Sequence, residues 1–240
     1  MQTSGTADTA ALLYADFVAL WQGAPMPSKK VMTDWNRQER AEATAVALAW
    51  GWLVRVSRTG EAALRLEAAG YSEEAAPLIR SMLEHAIRLR WAQAAGAEFV
   101  EVALRMRSKS LEKIIEAQRG GWQHSPELVE KMEAAMQEQD EGLASSNHLQ
   151  ALKHVVDTDL DKFGFMYQQW LLETQVSHPT FLSASPYYAY EQRTGFDFYQ
   201  QPIGQDPVSM TACGALLAAV CQWPVVSAHG WPLKVPAGGQ

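Results

Sequence analysis

An Ala-rich stretch runs past Gly51 as far as Ala69, too long and too rich in helix formers to fold as anything but a helix. Thr33 is placed to act as its N-cap and Asp34 to meet the positive end of its dipole, with Gly60 the position where a break is expected. A helix of that length needs other helices to cover its apolar face, and the rest of the chain supplies them. The first is expected over Thr9 to Trp21, where Leu12, Phe17 and Trp21 recur at roughly helical spacing before Gly23 to Pro27 ends it. A third runs from Ser72, whose hydroxyl suits the Glu73/Glu74 turn, to Ala95, and a fourth from Ala97 to Arg119, stopped by Gly120 and Gly121.

A fifth, Glu127 to Glu141, opens with Ser125 as cap and Pro126 at the first helical position. A sixth covers Ser146 to Val156 and a seventh Leu160 to Ser177, ending at His178 because Pro179 disfavours a helical residue before it. From Pro179 to Pro207 the period disappears into an aromatic segment with a short extended piece at Phe196 to Gln200; an eighth helix begins at Ser209. The expectation is an all-α chain: one domain over residues 1–240, an irregular bundle of seven to eight helices with an aromatic loop between the last two, and a loose tail at 236–240. The second, third, fourth and seventh helices should form its core.

Acidic residues outnumber basic ones by 27 to 20, for a net charge of −7, and a field of that sign argues against nucleic acid as a partner. The apolar run Met210 to Trp223 is nearer to a buried helix than to a bilayer span, so no membrane association is expected. The N-terminus, with Asp8 before its apolar stretch, does not read as a secretory signal. Cys213 and Cys221, eight apart on one helix, read as reduced thiols, and the setting expected is cytoplasmic. The small residues Gly214, Ala215, Ala218 and Ala219 of the last helix would admit a close neighbour, within the domain or across a homodimer.

Phosphate-loop, dinucleotide, zinc-hydrolase and nucleophile-elbow patterns are absent. Asp157, Asp159 and Asp161 stand at calcium-loop spacing, but Lys162 and Gln168 occupy positions that such a loop gives to Gly and Glu. Di-iron bundles need two Glu-x-x-His pairs, and the chain has none. No metal or cofactor is expected.

Two helices carry the polar chemistry. On the third, Arg80 and Glu84 stand one turn apart among Leu83, Ile87 and Trp91, with His85 and Arg88 on the adjoining flank. An Arg/Glu couple in such surroundings is either a structural ion pair or part of a site. On the seventh, Tyr167, Trp170, Thr174, Ser177 and His178 gather hydroxyls and an imidazole along one stripe. The helix dipole at that end favours imidazolium, which suits a proton donor or an anion contact.

The stretch Leu78 to Glu84, with its Arg-Ser-x-x-Glu pattern, and the later Val176-Ser177-His178-Pro179 resemble the bacterial family catalogued as domain of unknown function 5677, over roughly residues 40–220. The resemblance carries over Arg80, Glu84 and His178 as the shared polar set; the serine of the family's second motif falls near Gln175, so Ser177 is not matched. Such families are similar to helical bundles of the nucleotide-binding and ribonuclease type, whose sites use an Arg followed four to six residues on by His. Arg80 and His85 have that spacing, as do Arg119 and His124. The resemblance therefore implies a metal-independent ribonuclease or toxin-like activity as one alternative.

The leading expectation is a small-molecule pocket between the third and seventh helices. Arg80 would hold an anionic group there, Glu84 would orient Arg80, and His178 would exchange a proton or donate a hydrogen bond. Tyr167, Trp170, Thr174, Ser177, His85 and Trp91 would line the pocket, beneath a cover that includes Tyr187 and Tyr188. The other alternative is a noncatalytic protein that works as an oligomer.

Overall fold

The computed structural model describes residues 4–23, 36–95, 97–119, 125–137, 151–179, 181–191, 195–203 and 208–221. Thr33, Asp34, His124, His148 and the tail after Cys221 lie outside these residues. Among the described residues the chain is mostly helical, in nine α-helices of which seven have seven or more residues. They are α1 (Ser4–Gln22), α2 (Arg37–Ala68), α3 (Ala76–Ala95), α4 (Ala97–Arg119), α5 (Pro126–Gln137), α6 (Leu152–Asp157), α7 (Leu160–Ser177), α8 (Phe181–Ala184) and α9 (Ser209–Val220). A small hairpin, β1 (Tyr188–Glu191) and β2 (Gly195–Phe198), stands between the last two.

Local chemistry sets the ends of α2. Asn36 is its cap: the Asn36 side chain accepts from the Glu39 amide at 3.0 Å, and the Glu39 carboxylate accepts from the Asn36 amide at 2.9 Å. This reciprocal pair satisfies two amides at the helix start. At the other end Gly70, at φ 85°, lets the Tyr71 amide reach the Leu66 carbonyl at 2.8 Å and its own amide reach Glu67 at 2.9 Å. That left-handed turn requires glycine.

The break expected at Gly60 does not occur; α2 is continuous from Arg37 to Ala68. Gly60 is needed for a different reason. A Cβ there would come within 2.6 Å of the Tyr14 Cζ and 2.7 Å of the Met82 Cε, so α1 and α3 both press against bare backbone. Tyr14 uses this approach to donate its hydroxyl to the Ser57 carbonyl at 2.6 Å, and the Trp21 indole donates to the Ser57 hydroxyl at 3.0 Å.

The expected cap at Ser72 is also absent, because a 3-10 turn at Glu73–Ala75 precedes α3 and the Ser72 hydroxyl makes no capping bond. Ser125 and Pro126 open α5 as expected, the Ser125 hydroxyl accepting from the Leu128 amide at 3.3 Å.

Two buried clusters form the core. One joins α1, α2, α3 and α9 through Tyr14, Leu53, Val56, Ile79, Met82 and Leu216. The other joins α3, α4, α6 and α7 through Ile87, Trp91, Phe99, Val155 and Phe163. Trp52, Met166 and Trp170 pack against both. The core is therefore wider than the second, third, fourth and seventh helices, since α1 and α9 complete one half of it. The thiol of Cys213 reinforces this by donating to the Ala10 carbonyl at 3.0 Å.

The aromatic segment is not a structureless loop. A turn of helix at Phe181–Ala184 and a 3-10 turn at Ser185–Tyr187 lead into the antiparallel hairpin, in which Tyr188 faces Phe198 and Tyr190 faces Phe196. These four rings share one face of the ribbon, with Phe196 5.0 Å from Tyr190 and 5.7 Å from Tyr188 between centroids. Much of that face is open, Phe198 being 80 % exposed.

Candidate functional site: the seam of α3 and α7

The third and seventh helices pack together, but their polar residues divide among several neighbours. Arg80 reaches across to α7, where its Nε donates to the Thr174 hydroxyl at 3.0 Å and its guanidinium lies 5.2 Å from the centre of the Trp170 ring. The Thr174 hydroxyl itself donates to the Trp170 carbonyl at 2.7 Å, and Trp170 stacks on Tyr167 at 5.6 Å. Arg80, Thr174, Trp170 and Tyr167 therefore form one continuous chain of contacts. The Trp170 indole N–H is buried and meets no acceptor among the described residues.

Glu84 does not hold Arg80. Its carboxylate turns the other way along α3, 3.6 Å from the Nε of Arg88. Arg88, expected on a polar flank, is 4 % exposed, and its burial lowers its pKa even though the Glu84 charge opposes that shift. The expected couple one turn before Glu84 is replaced by a couple one turn after it. In that order the carboxylate stands toward the helix start, the more favourable orientation in the helix dipole.

His85 faces α2, edge-on to Trp52 at 6.0 Å, with its Nδ1 hydrogen donated to the Ser81 carbonyl at 2.6 Å. Burial lowers its pKa, and the nearby charges of Arg55 and Arg88 add to that effect against the Ser81 bond and Glu84. Trp91 is buried against Phe99 at 6.4 Å. Ser177 donates to the Glu173 carbonyl at 2.6 Å and so serves the helix end. His178 is the exposed residue that closes α7, in extended conformation.

Tyr187 binds the Glu74 carboxylate at 2.5 Å, and that bond, followed by burial, pushes its hydroxyl up to about 12. Tyr188 packs on Phe196 within the hairpin.

An open groove does lie beside this seam, where α9 completes it. Its volume is about 690 Å³, within the range of small-molecule sites. Leu83 from α3, Phe165 and Met166 from α7, and Met210 and Leu217 from α9 form apolar walls. Gln169 and Thr211 are polar, and Arg90 is the one charged side chain among the described residues that line it. Arg80, Glu84 and His178 are not part of it.

The groove draws on the two helices between which the pocket was expected, but through other residues. Arg90 stands two helical turns from Leu83 and shares its face, a spacing visible on a helical wheel. The third wall comes from α9, which no local pattern connects to α3 or α7. A smaller cavity of about 290 Å³ shares Gln169 and Thr211 with the groove and is bounded by Ser72, Glu73 and Glu173. Among the described residues no three His, Cys, Asp or Glu side chains converge as metal ligands, and no helix is long and apolar enough to cross a membrane. A scan against protein-family models finds no match for this chain, and neither a curated protein nor a solved structure matches it.

Proposed function

We propose that the protein binds a small amphiphilic anion in the groove between α3, α7 and α9, with Arg90 holding the anionic end. One observation carries this reading: a long apolar trough of about 690 Å³ has a single guanidinium on its wall and no carboxylate to neutralise it among the described residues that line it. An apolar tail would cover Phe165, Met210 and Leu217, which are 81 %, 60 % and 43 % exposed. A carboxylate would form a charge-assisted pair with the fork of Arg90. In this reading Arg80 is the clamp that fixes α7 against α3 and so keeps the trough open.

Titration of the full chain with octanoate, followed by tryptophan fluorescence and calorimetry, tests it. The expected result is one saturable site that Arg90→Met weakens about tenfold or more, the loss of a charged hydrogen bond. A second copy of the chain is the competing occupant, since Gly214 leaves open space beside α9. Light scattering that finds a dimer with no octanoate site, or octanoate binding indifferent to Arg90→Met, overturns the proposal.

A further inference from the structure

Another open hollow, of about 410 Å³, lies against the middle of α2 and shares no lining residue with the groove. Gly51, Arg55, Arg58, Thr59 and Ala62 follow one another at helical spacing on one face of α2, Val54 flanks them, and Leu78 supplies a wall from α3. Two features set it apart from an ordinary crease between helices. The first is charge: two of the lining residues are arginines one turn apart and none is a carboxylate, in a chain whose net charge is −7. Arg65, further along α2, is tied to Glu61, and Arg88 on α3 to Glu84. No ion pair or hydrogen bond engages the Arg55 or Arg58 guanidinium among the described residues. Like charges at this spacing work against a helix, so a bound anion would relieve a repulsion already present.

The second feature is space. A Cβ at Gly51, one turn before Arg55, would meet nothing within 4 Å, so bare backbone leaves that part of the hollow open. The charge of Arg55 also reaches the neighbouring helix. Burial first, and then the charges of Arg55 and Arg88, hold the pKa of His85 below its ordinary value against the Ser81 bond and Glu84.

We propose that this hollow binds a small phosphate monoester, with Arg55 and Arg58 gripping its phosphoryl oxygens and the Thr59 hydroxyl donating to one of them. A single guanidinium fork suffices for a carboxylate, whereas two forks and a hydroxyl match the higher charge and three acceptor oxygens of a phosphate. The phosphate fills only part of the volume. The apolar walls of Val54, Ala62 and Leu78 suit a compact organic part behind it.

Calorimetry of the full chain at low salt with glycerol phosphate, inorganic phosphate and acetate tests this. Glycerol phosphate should bind at one site and acetate at least about tenfold more weakly, and Arg55→Gln and Arg58→Gln should each cost about tenfold, the loss of a charged hydrogen bond. Both arginines are exposed, so neither change should unfold the chain. Gly51→Glu sets a carboxylate one turn before Arg55, an order that favours the helix, and should keep the melting temperature while abolishing phosphate binding. In the wild type the His85 ring resonances should titrate at higher pH when glycerol phosphate is bound, and in Arg55→Gln the ligand should leave them unmoved. Vesicles of phosphatidylcholine with phosphatidic acid present the same headgroup on a surface, and the chain should not sediment with them, since its net charge opposes an anionic membrane. Sedimentation with the vesicles in the absence of glycerol phosphate binding overturns the proposal. So does glycerol phosphate that binds no better than acetate, or that binds the three variants as it binds the wild type.

Discussion

The guanidinium of Arg80 lies over the ring of Trp170 while its Nε holds Thr174, so one side chain ties α3 to α7 by a cation–π contact and a hydrogen bond. Each is worth about 1 kcal/mol where water is largely excluded. Arg80→Ala is expected to cost about 2 kcal/mol in urea unfolding and Thr174→Val about 1 kcal/mol. The double variant should cost less than the sum of the two, the signature of a shared bond. Strict additivity would mean that the pair does not act as a clamp.

Arg88 depends on Glu84 more than Glu84 depends on Arg88, since the arginine is buried and the glutamate is 30 % exposed. Glu84→Ala takes a carboxylate away from a buried charge and should cost about 3 kcal/mol, whereas Arg88→Met keeps the packing and removes the charge at less than half that cost. Chemical denaturation of both variants checks the asymmetry; equal costs would contradict it.

Two glycines of α2 make a controlled comparison. At Gly51 nothing lies within 4 Å of a built Cβ, so Gly51→Ala should stabilise by about 0.5–1 kcal/mol. At Gly60 the same change drives a methyl into Tyr14 and Met82, and overpacking of about 1–3 kcal/mol outweighs the helix gain. Thermal melts should therefore move in opposite directions for the two variants.

Glu173 gives stability a pH dependence. Its folded pKa is raised, chiefly by burial, with the Glu73 charge adding to the shift and the Gln169 bond opposing it. The contribution is therefore complete below the ordinary carboxylate range, about 4.3, and is lost as pH rises through the higher folded value. Glu173→Gln should gain on the wild type as pH rises from the ordinary carboxylate range through the higher folded value. The difference in melting temperature between the two proteins across that range is the measurement, and a flat difference counts against the burial of this carboxyl.

The Tyr187 to Glu74 bond fastens the end of the hairpin segment to the turn before α3. Because the tyrosine pKa is raised to about 12, the latch is intact below its usual value near 10 and opens between the two. Tyr187→Phe should speed amide exchange in β1 and β2 at neutral pH while leaving α2 and α3 protected. Uniform loss of protection would instead make the bond part of the global fold.

What was legible in the sequence depended on how local its cause is. Pro126 after Ser125 and the stop before Pro179 act through neighbouring backbone, and both ends lie where they were expected. Asn36 with Glu39 is equally local, a capping pair that the sequence displays and that reading Thr33 as the cap passed over. Gly60 misleads because its reason is Tyr14, distant in sequence, rather than any weakness in its own helix. Glu84 had an arginine one turn away on either side, and only the dipole-favoured order distinguished Arg88 from Arg80. Arg90 was passed over because the groove it lines is completed by α9, which meets α3 and α7 only on folding.

The reach of Tyr14 across to Ser57 bears on how the chain can be shortened. Removal of α1 would uncover a carbonyl in mid-helix and a strip of bare backbone at Gly60, and would take from α9 the Ala10 oxygen that Cys213 binds. Since α9 is one wall of the groove, trimming the chain ahead of Trp21 would disturb that wall through a helix that supplies none of the described residues lining it.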